Sequence, residues 1–94
     1  MRILIVEDVP ALRAHAKQVI EKVLSGNVEI VEAANGLEGV KLAKTLAPDL
    51  TLMDISMPEL NGVKAAEEIW ESNKQARILF WSQFHREAYV RSLG

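Results

Sequence analysis

The chain contains no cysteine, so disulfides, thiol catalysis and zinc–thiolate sites are excluded, and a reducing, cytoplasmic setting is expected. It has only two histidines, His15 and His85, and neither has a partner at metal-ligand spacing. Both read as surface residues. Aromatic residues make up 5% of the 94, and no basic stripe accompanies Trp70 or Trp81, so these read as core or interface and not as base-stacking platforms. Positive charge is not in excess: eleven Lys and Arg face thirteen Asp and Glu, for a net charge of −2. Nucleic acid as the main partner would call for the opposite balance. No apolar run approaches the roughly 20 residues of a membrane span. The first apolar run is too short, and too soon followed by acid, for a signal peptide.

What is present suffices for one small core. Of the 94 residues, 29 are Leu, Ile, Val or Phe, above the roughly 20% below which disorder is expected. The length allows one domain, residues 1–94. Ile3-Leu4-Ile5-Val6 is a continuous apolar run, β-branched at Ile3, Ile5 and Val6, as in a strand buried on both faces. Pro10 opens a helix with Leu12, Ala16, Val19, Ile20 and Val23 on one face, and Gly26 is placed as its left-handed cap. Val28 to Val31 reads as a second strand, at a sheet edge. Asn35-Gly36 caps a second helix carrying Leu37, Val40, Ala43 and Ala47, which Pro48-Asp49 ends. Leu50 to Met53 is a third strand, followed by a loop through Pro58 to Gly62 and a helix with Val63, Ala66, Ile69 and Trp70 inward. Ile78 to Trp81 is a fourth strand, and Tyr89, Val90 and Leu93 suggest a last helix. Lys41, Lys44 and Lys64 look like solvated helix faces. This alternation argues for an α/β protein, a parallel sheet with helices on both sides.

In such a sheet, ligands bind beyond the carboxyl ends of the strands. Glu7 and Asp8 follow the first strand, Asp54 the third and Ser82 the fourth. Acids such as Glu7 and Asp8 also commonly cap helices, and Asp54 could open a loop. If the first and third strands are neighbours, however, about 4.8 Å apart, three carboxylates converge. Their repulsion would raise at least one pKa, and a divalent cation would relieve it. An all-oxygen site with room for water suits Mg²⁺. Ser82 adds a hydroxyl able to donate to a bound anion. A carboxylate in that setting can attack phosphorus and form an acyl phosphate.

Arg2-Ile3-Leu4-Ile5-Val6-Glu7-Asp8, Ala34-Asn35-Gly36-Leu37-Glu38 and the run from Pro48 through Asp54, Met57-Pro58 and Asn61-Gly62 strongly resemble receiver domains of two-component response regulators. The resemblance covers essentially the whole chain. It implies a doubly wound, flavodoxin-like or CheY-like sheet with strand order 2-1-3-4. It also implies that Asp54 is the phosphoacceptor, with Mg²⁺ held by Asp8, by Glu7 through water, by Asp54, and by the backbone carbonyl of Ser56. Ser82 matches the switch hydroxyl. The donor would be a sensor histidine kinase or a small acyl phosphate, and the domain would be a stoichiometric phosphoacceptor, not a turnover enzyme.

Two departures stand out. The family's fifth strand, with its lysine, and its fifth helix would follow residue 94, so the chain reads as a receiver truncated before that strand. Gln83 follows Ser82 where the family usually has a small residue. One charge about 4 Å from another is worth roughly 4 kcal/mol at an effective dielectric near 20. Mg²⁺ brings twice the charge of a lysine at shorter range, so slow phosphorylation is expected to survive the lysine's absence. An uncovered fourth strand would leave an apolar edge that invites a homodimer or a domain-swapped dimer. The alternative is therefore a degenerate receiver used for dimerisation or docking without phosphotransfer. An aspartyl phosphatase fits less well, because Ser56 stands where such enzymes commonly carry a second acid. The ending from Tyr89 to Gly94 resembles helix four of receivers fused to DNA-binding output domains. A longer native chain would carry such a domain by analogy, while nothing within these residues binds DNA or a membrane.

Overall fold

Four β-branched or apolar residues in a row cannot hide one face only, so Ile3 to Val6 must be sandwiched. In the computed structural model, which describes residues 1–55, 57, 61–81 and the backbone of 88–91, this run is β1 (Arg2–Val6), and Ile3 to Val6 are at most 1% exposed. It is followed by α1 (Pro10–Val23), β2 (Glu29–Ala33), α2 (Gly36–Leu46), β3 (Leu50–Asp54), α3 (Gly62–Ser72), β4 (Ile78–Trp81) and β5 (Ala88–Arg91). The sheet order is β2-β1-β3-β4-β5. The first four strands are parallel and stand in the expected order. From β1 the chain moves outward to β2, then crosses back to β3 on the other side. The connections leaving β1 and β3 therefore diverge, and a crevice opens between them at the carboxyl ends.

Side chains alternate between the faces. Leu4, Val6, Met53, Ile78 and Phe80 form the larger core with α2 and α3, including Val40, Ala66, Ile69 and Trp70. Trp70 stands edge-on to Phe80, with ring centroids 6.1 Å apart, and donates its indole N–H to Ala76 O at 2.8 Å. Ile3 and Ile5 form the smaller core against Ala16 of α1. The odd-numbered β1 positions lead to Glu7, and the even-numbered β3 positions lead to Asp54. Both acids thus inherit the α1 side of the sheet.

Several helix faces are narrower than their spacing suggests. Val19, Val23, Leu37 and Val63 are exposed, Val23 at 72% and Leu37 at 60%, because each helix meets a flat sheet along one line only. Ala65, not Val63, joins Ala66 against the sheet. The second strand starts one residue later and ends two residues later than expected, at the buried Ala33. Gly26 does not cap α1. That helix ends on Leu24, whose N–H bonds to Ile20 O at 2.8 Å, and Gly26, at φ 123°, shapes the turn that follows. Asn35 does cap α2, accepting from the Glu38 N–H at 2.8 Å.

The expected last helix is replaced, over Ala88–Arg91, by a strand antiparallel to β4, with Trp81 opposite Ala88 and Ile78 opposite Arg91. Connection length explains this. A parallel return needs a crossover of a dozen or more residues, whereas an antiparallel return needs only a short link. Tyr-Val is also a strand-forming pair. The β4 edge therefore has a partner within the chain, and the open edge on which dimer or domain-swap formation was expected is not there.

Ala47 carries an unforced strain. It ends α2 in the left-handed region, at φ 45° and ψ 63°, with an exposed side chain. A Cβ there costs about 1–2 kcal/mol, partly offset by the greater chain entropy that glycine gives the unfolded state. Ala47→Gly is expected to stabilise the protein by about 0.5–1 kcal/mol. A urea midpoint that falls instead of rising would contradict this.

Candidate functional site: an acidic pocket at the carboxyl ends of β1 and β3

Asp54 is the last residue of β3 and is fully buried. Its strand is flanked by β1, with Val6 opposite Met53, and by β4, with Trp81 opposite Asp54 itself. The next amide, Ile55 N–H, donates to Trp81 O at 2.9 Å. The loop that follows is tied back at two points. Met57 is buried in the larger core, and the Gly62 N–H donates to Ile55 O at 3.1 Å. Asn61 caps α3 by accepting from the Lys64 N–H at 2.9 Å, which fixes the helix start beside Asp54.

Glu7 continues β1 by one residue, its N–H bonded to Ala33 O at 3.1 Å, and is fully buried. The helix-capping reading of Glu7 and Asp8 does not apply. The cap position of α1 is Val9, which makes no side-chain cap, and Pro10, having no amide hydrogen, leaves one fewer donor to satisfy at the helix start. Glu7 Oε2 instead accepts the Val9 N–H at 2.9 Å, turning the carboxylate inward.

Carboxylate oxygens of Glu7, Asp8 and Asp54 all lie within 4.8 Å of one another. Three negative charges in so small a volume are unfavourable, and Glu7 registers it. Burial pushes its pKa from 4.5 up to about 8, and the adjacent Asp8 carboxyl and the Asp54 charge add to the rise against the opposing Val9 N–H. Glu7 Oε1 and Asp8 Oδ1 are buried with no hydrogen-bond partner among the described residues. Such atoms are costly to leave unmet, and a hard divalent cation meets them. The donor set is all oxygen, and Asp8 is only half-buried, which leaves access from solvent. The residues therefore fit Mg²⁺.

The three acids named from sequence are thus brought together. Ser56 and Ser82 lie outside the described residues, as does Gln83. His15 is exposed on α1, and Lys41, Lys44 and Lys64 are exposed as expected. Two contributors carry no obvious sequence signal. The Gly62 amide tie to Ile55 needs two segments brought together by folding. Arg13, which donates from Nη1 to Glu7 O at 2.8 Å, resembles any basic residue on a helix until α1 is docked.

A doubly wound α/β domain with paired acids after its first strand and a buried aspartate after its third defines a class of protein, and the comparisons fill it in. The family profile described as response regulator receiver domain matches residues 3–93. The chain belongs to the response regulator receiver domain family. It is 40% identical over 89 residues to the chemotaxis protein CheY of Thermotoga maritima, covering 95% of this chain and 72% of that protein. It is 38% identical over 93 residues to the nitrate/nitrite response regulator protein NarL of Escherichia coli K12, covering 97% of this chain but 42% of NarL. Among solved structures, the response regulator domain of Thermotoga maritima CheB superposes with TM-score 0.80 at 34% identity, covering 93% of this chain and 63% of that one. The response regulator protein TrrA of Thermotoga maritima, solved in complex with Mg²⁺-BeF, gives TM-score 0.76 at 33% identity, covering 89% and 70%.

Proposed function

We propose that this receiver domain accepts a phosphoryl group on Asp54 from a phosphohistidine of a sensor histidine kinase, and relays that event to an output region or partner. The observation that carries the reading is the convergence of Glu7, Asp8 and Asp54 at the crevice between β1 and β3. In the proposed reaction an Asp54 carboxylate oxygen attacks phosphorus, the phosphorus–nitrogen bond breaks, and the departing imidazole takes up a proton. Bound Mg²⁺ would supply charge neutralisation for the phosphoryl oxygens, as Lewis-acid clamps do in phosphoryl transfer. Asp8 would ligate it directly, Glu7 through water, together with Asp54 and the Ser56 carbonyl, and Ser82 would donate its hydroxyl to the phosphoryl group. That TrrA was solved with Mg²⁺-BeF, a phosphoryl-like group beside a metal, supports the assignment by similarity.

The role proposed is stoichiometric, one phosphoryl per domain, not turnover. We place it in the cytoplasm, beside the kinase; no helix among the described residues is long and apolar enough to cross a membrane. Intact mass after incubation with Mg²⁺ and a small acyl phosphate tests the reading. A phosphoryl-sized gain is expected in the wild type, lost on chelation and absent in Asp54→Asn. No gain in the wild type under any metal condition would leave docking without phosphotransfer as the remaining reading.

A further inference from the structure

Glu7 is fully buried, so its main-chain carbonyl must find a donor inside the protein. That donor comes from α1. Arg13 Nη1 gives a hydrogen bond to Glu7 O at 2.8 Å. The same guanidinium reaches across to β2, where its Nε lies 3.4 Å from Glu32 Oε1. Lys17, one helical turn on, approaches the other carboxylate oxygen of Glu32 at 3.8 Å. The Arg13 N–H also closes the first turn of α1 on Val9 O at 2.9 Å. One residue therefore joins the end of β1, the start of α1 and the neighbouring strand.

We infer that Arg13, anchored by Glu32, is the positioning residue that holds the Glu7-Asp8 turn in its metal-binding shape. This deepens the proposed function and rests on the reading that the three acids hold Mg²⁺. The turn needs a restraint: Glu7 and Asp8 each present a buried oxygen without a donor, and Asp8, half-buried, has a way out to solvent. Without a tether, repulsion is relieved by swinging the turn outward, and each metal-binding event then has to draw it back. Arg13 grips the backbone of the turn and leaves the carboxylates free. Glu32, shared with Lys17, offsets part of its charge, so the guanidinium supplies geometry while cancelling less of the field of the pocket. A lysine keeps the charge but lacks the planar fork whose Nη1 and Nε face the two partners separately.

Calorimetric titration of the chain with MgCl₂ tests this using charge-conserving variants. Arg13→Lys is expected to weaken Mg²⁺ binding about tenfold, the lower end for loss of a residue that orients a metal ligand. Glu32→Asp, which withdraws the anchor by one methylene without removing it, is expected to weaken it by less than that tenfold, about two- to threefold. The double variant should bind no more weakly than Arg13→Lys alone, because both changes cut one tether. Amide resonances of Glu7, Asp8 and Val9 should move in metal-free Arg13→Lys, which a change confined to overall stability would not cause. Wild-type affinity in Arg13→Lys, whatever its melting temperature, overturns the inference and leaves the proposed function standing. Multiplicative losses in the double variant also overturn it. If Arg13→Lys fails to fold, Glu32→Asp decides alone, and unchanged affinity there is equally fatal. A wild type that does not bind Mg²⁺ brings down the proposed function and this inference together.

Discussion

Gly62→Ala is expected to destabilise the protein by more than about 3 kcal/mol, the range of severe core overpacking. A Cβ at this position would lie 2.1 Å from the Asp54 carbonyl oxygen and 2.9 Å from both Asp54 C and Ile55 Cα. All three are backbone atoms, so no side-chain rotation relieves the clash. Either α3 lifts away, breaking the Gly62 N–H bond to Ile55 O, or the end of β3 is displaced and Asp54 with it. Gly39 offers a built-in comparison. A Cβ there meets the two methyls of Val6 at 2.8 Å, a side-chain contact in a buried strand that can yield in part. Gly39→Ala should therefore cost about 1–3 kcal/mol, less than Gly62→Ala. Urea denaturation of both variants checks the order. Equal midpoints for Gly62→Ala and wild type would mean that the approach of α3 to Asp54 is looser than described.

The second large effect is a loss of metal-free stability as pH rises. Glu7 titrates near 8 in the folded protein against 4.5 for an unperturbed side chain, chiefly because it is buried. Between those values the folded state holds a proton that the unfolded chain has released. Stability from this group is thus complete below about pH 4.5, declines through the window and is fully lost above about pH 8. The slope can reach about 1.4 kcal/mol per pH unit. Mg²⁺ reverses the trend, because the metal takes the deprotonated carboxylates and stabilises the folded state by about 2.7 kcal/mol at a hundred times its dissociation constant. Thermal melts in chelator from pH 5 to 8.5 should show the fall, and Glu7→Gln should flatten it. A wild-type curve that rises across this range in chelator would show that Glu7 is ionised when the protein is metal-free.

Much of this site is legible along the chain because its parts are local. Glu7 and Asp8 come directly after an apolar strand, and Asp54 directly after another, so a parallel sheet with those two strands adjacent predicts their meeting. Asn35 announces a helix start through ordinary capping chemistry. The burial of Ile3 to Val6 follows from their unbroken apolar character. What lies beyond reach depends on atoms far apart in the chain. Gly62 looks like a turn glycine until α3 is laid against the carbonyl of Asp54. Arg13 looks like a solvated helix residue until β1 presents a buried carbonyl. Val19 and Val23 look like core until α1 is seen to touch a sheet along one edge only.

The fate of residues 88–91 marks the boundary most clearly. Helical spacing over Tyr89, Val90 and Leu93 is a weak local preference, while β4 presents a row of backbone donors and acceptors that need partners. The second demand arises only once the sheet exists, and it draws Ala88–Arg91 into an antiparallel strand. Local order of residue types therefore determined every element but the last and the identity of the three acids, while the strand order followed from the resemblance to receiver domains. Tertiary structure alone decided how those acids are held, because backbone clashes, buried carbonyls and unpaired strand edges do not exist until distant segments are in place.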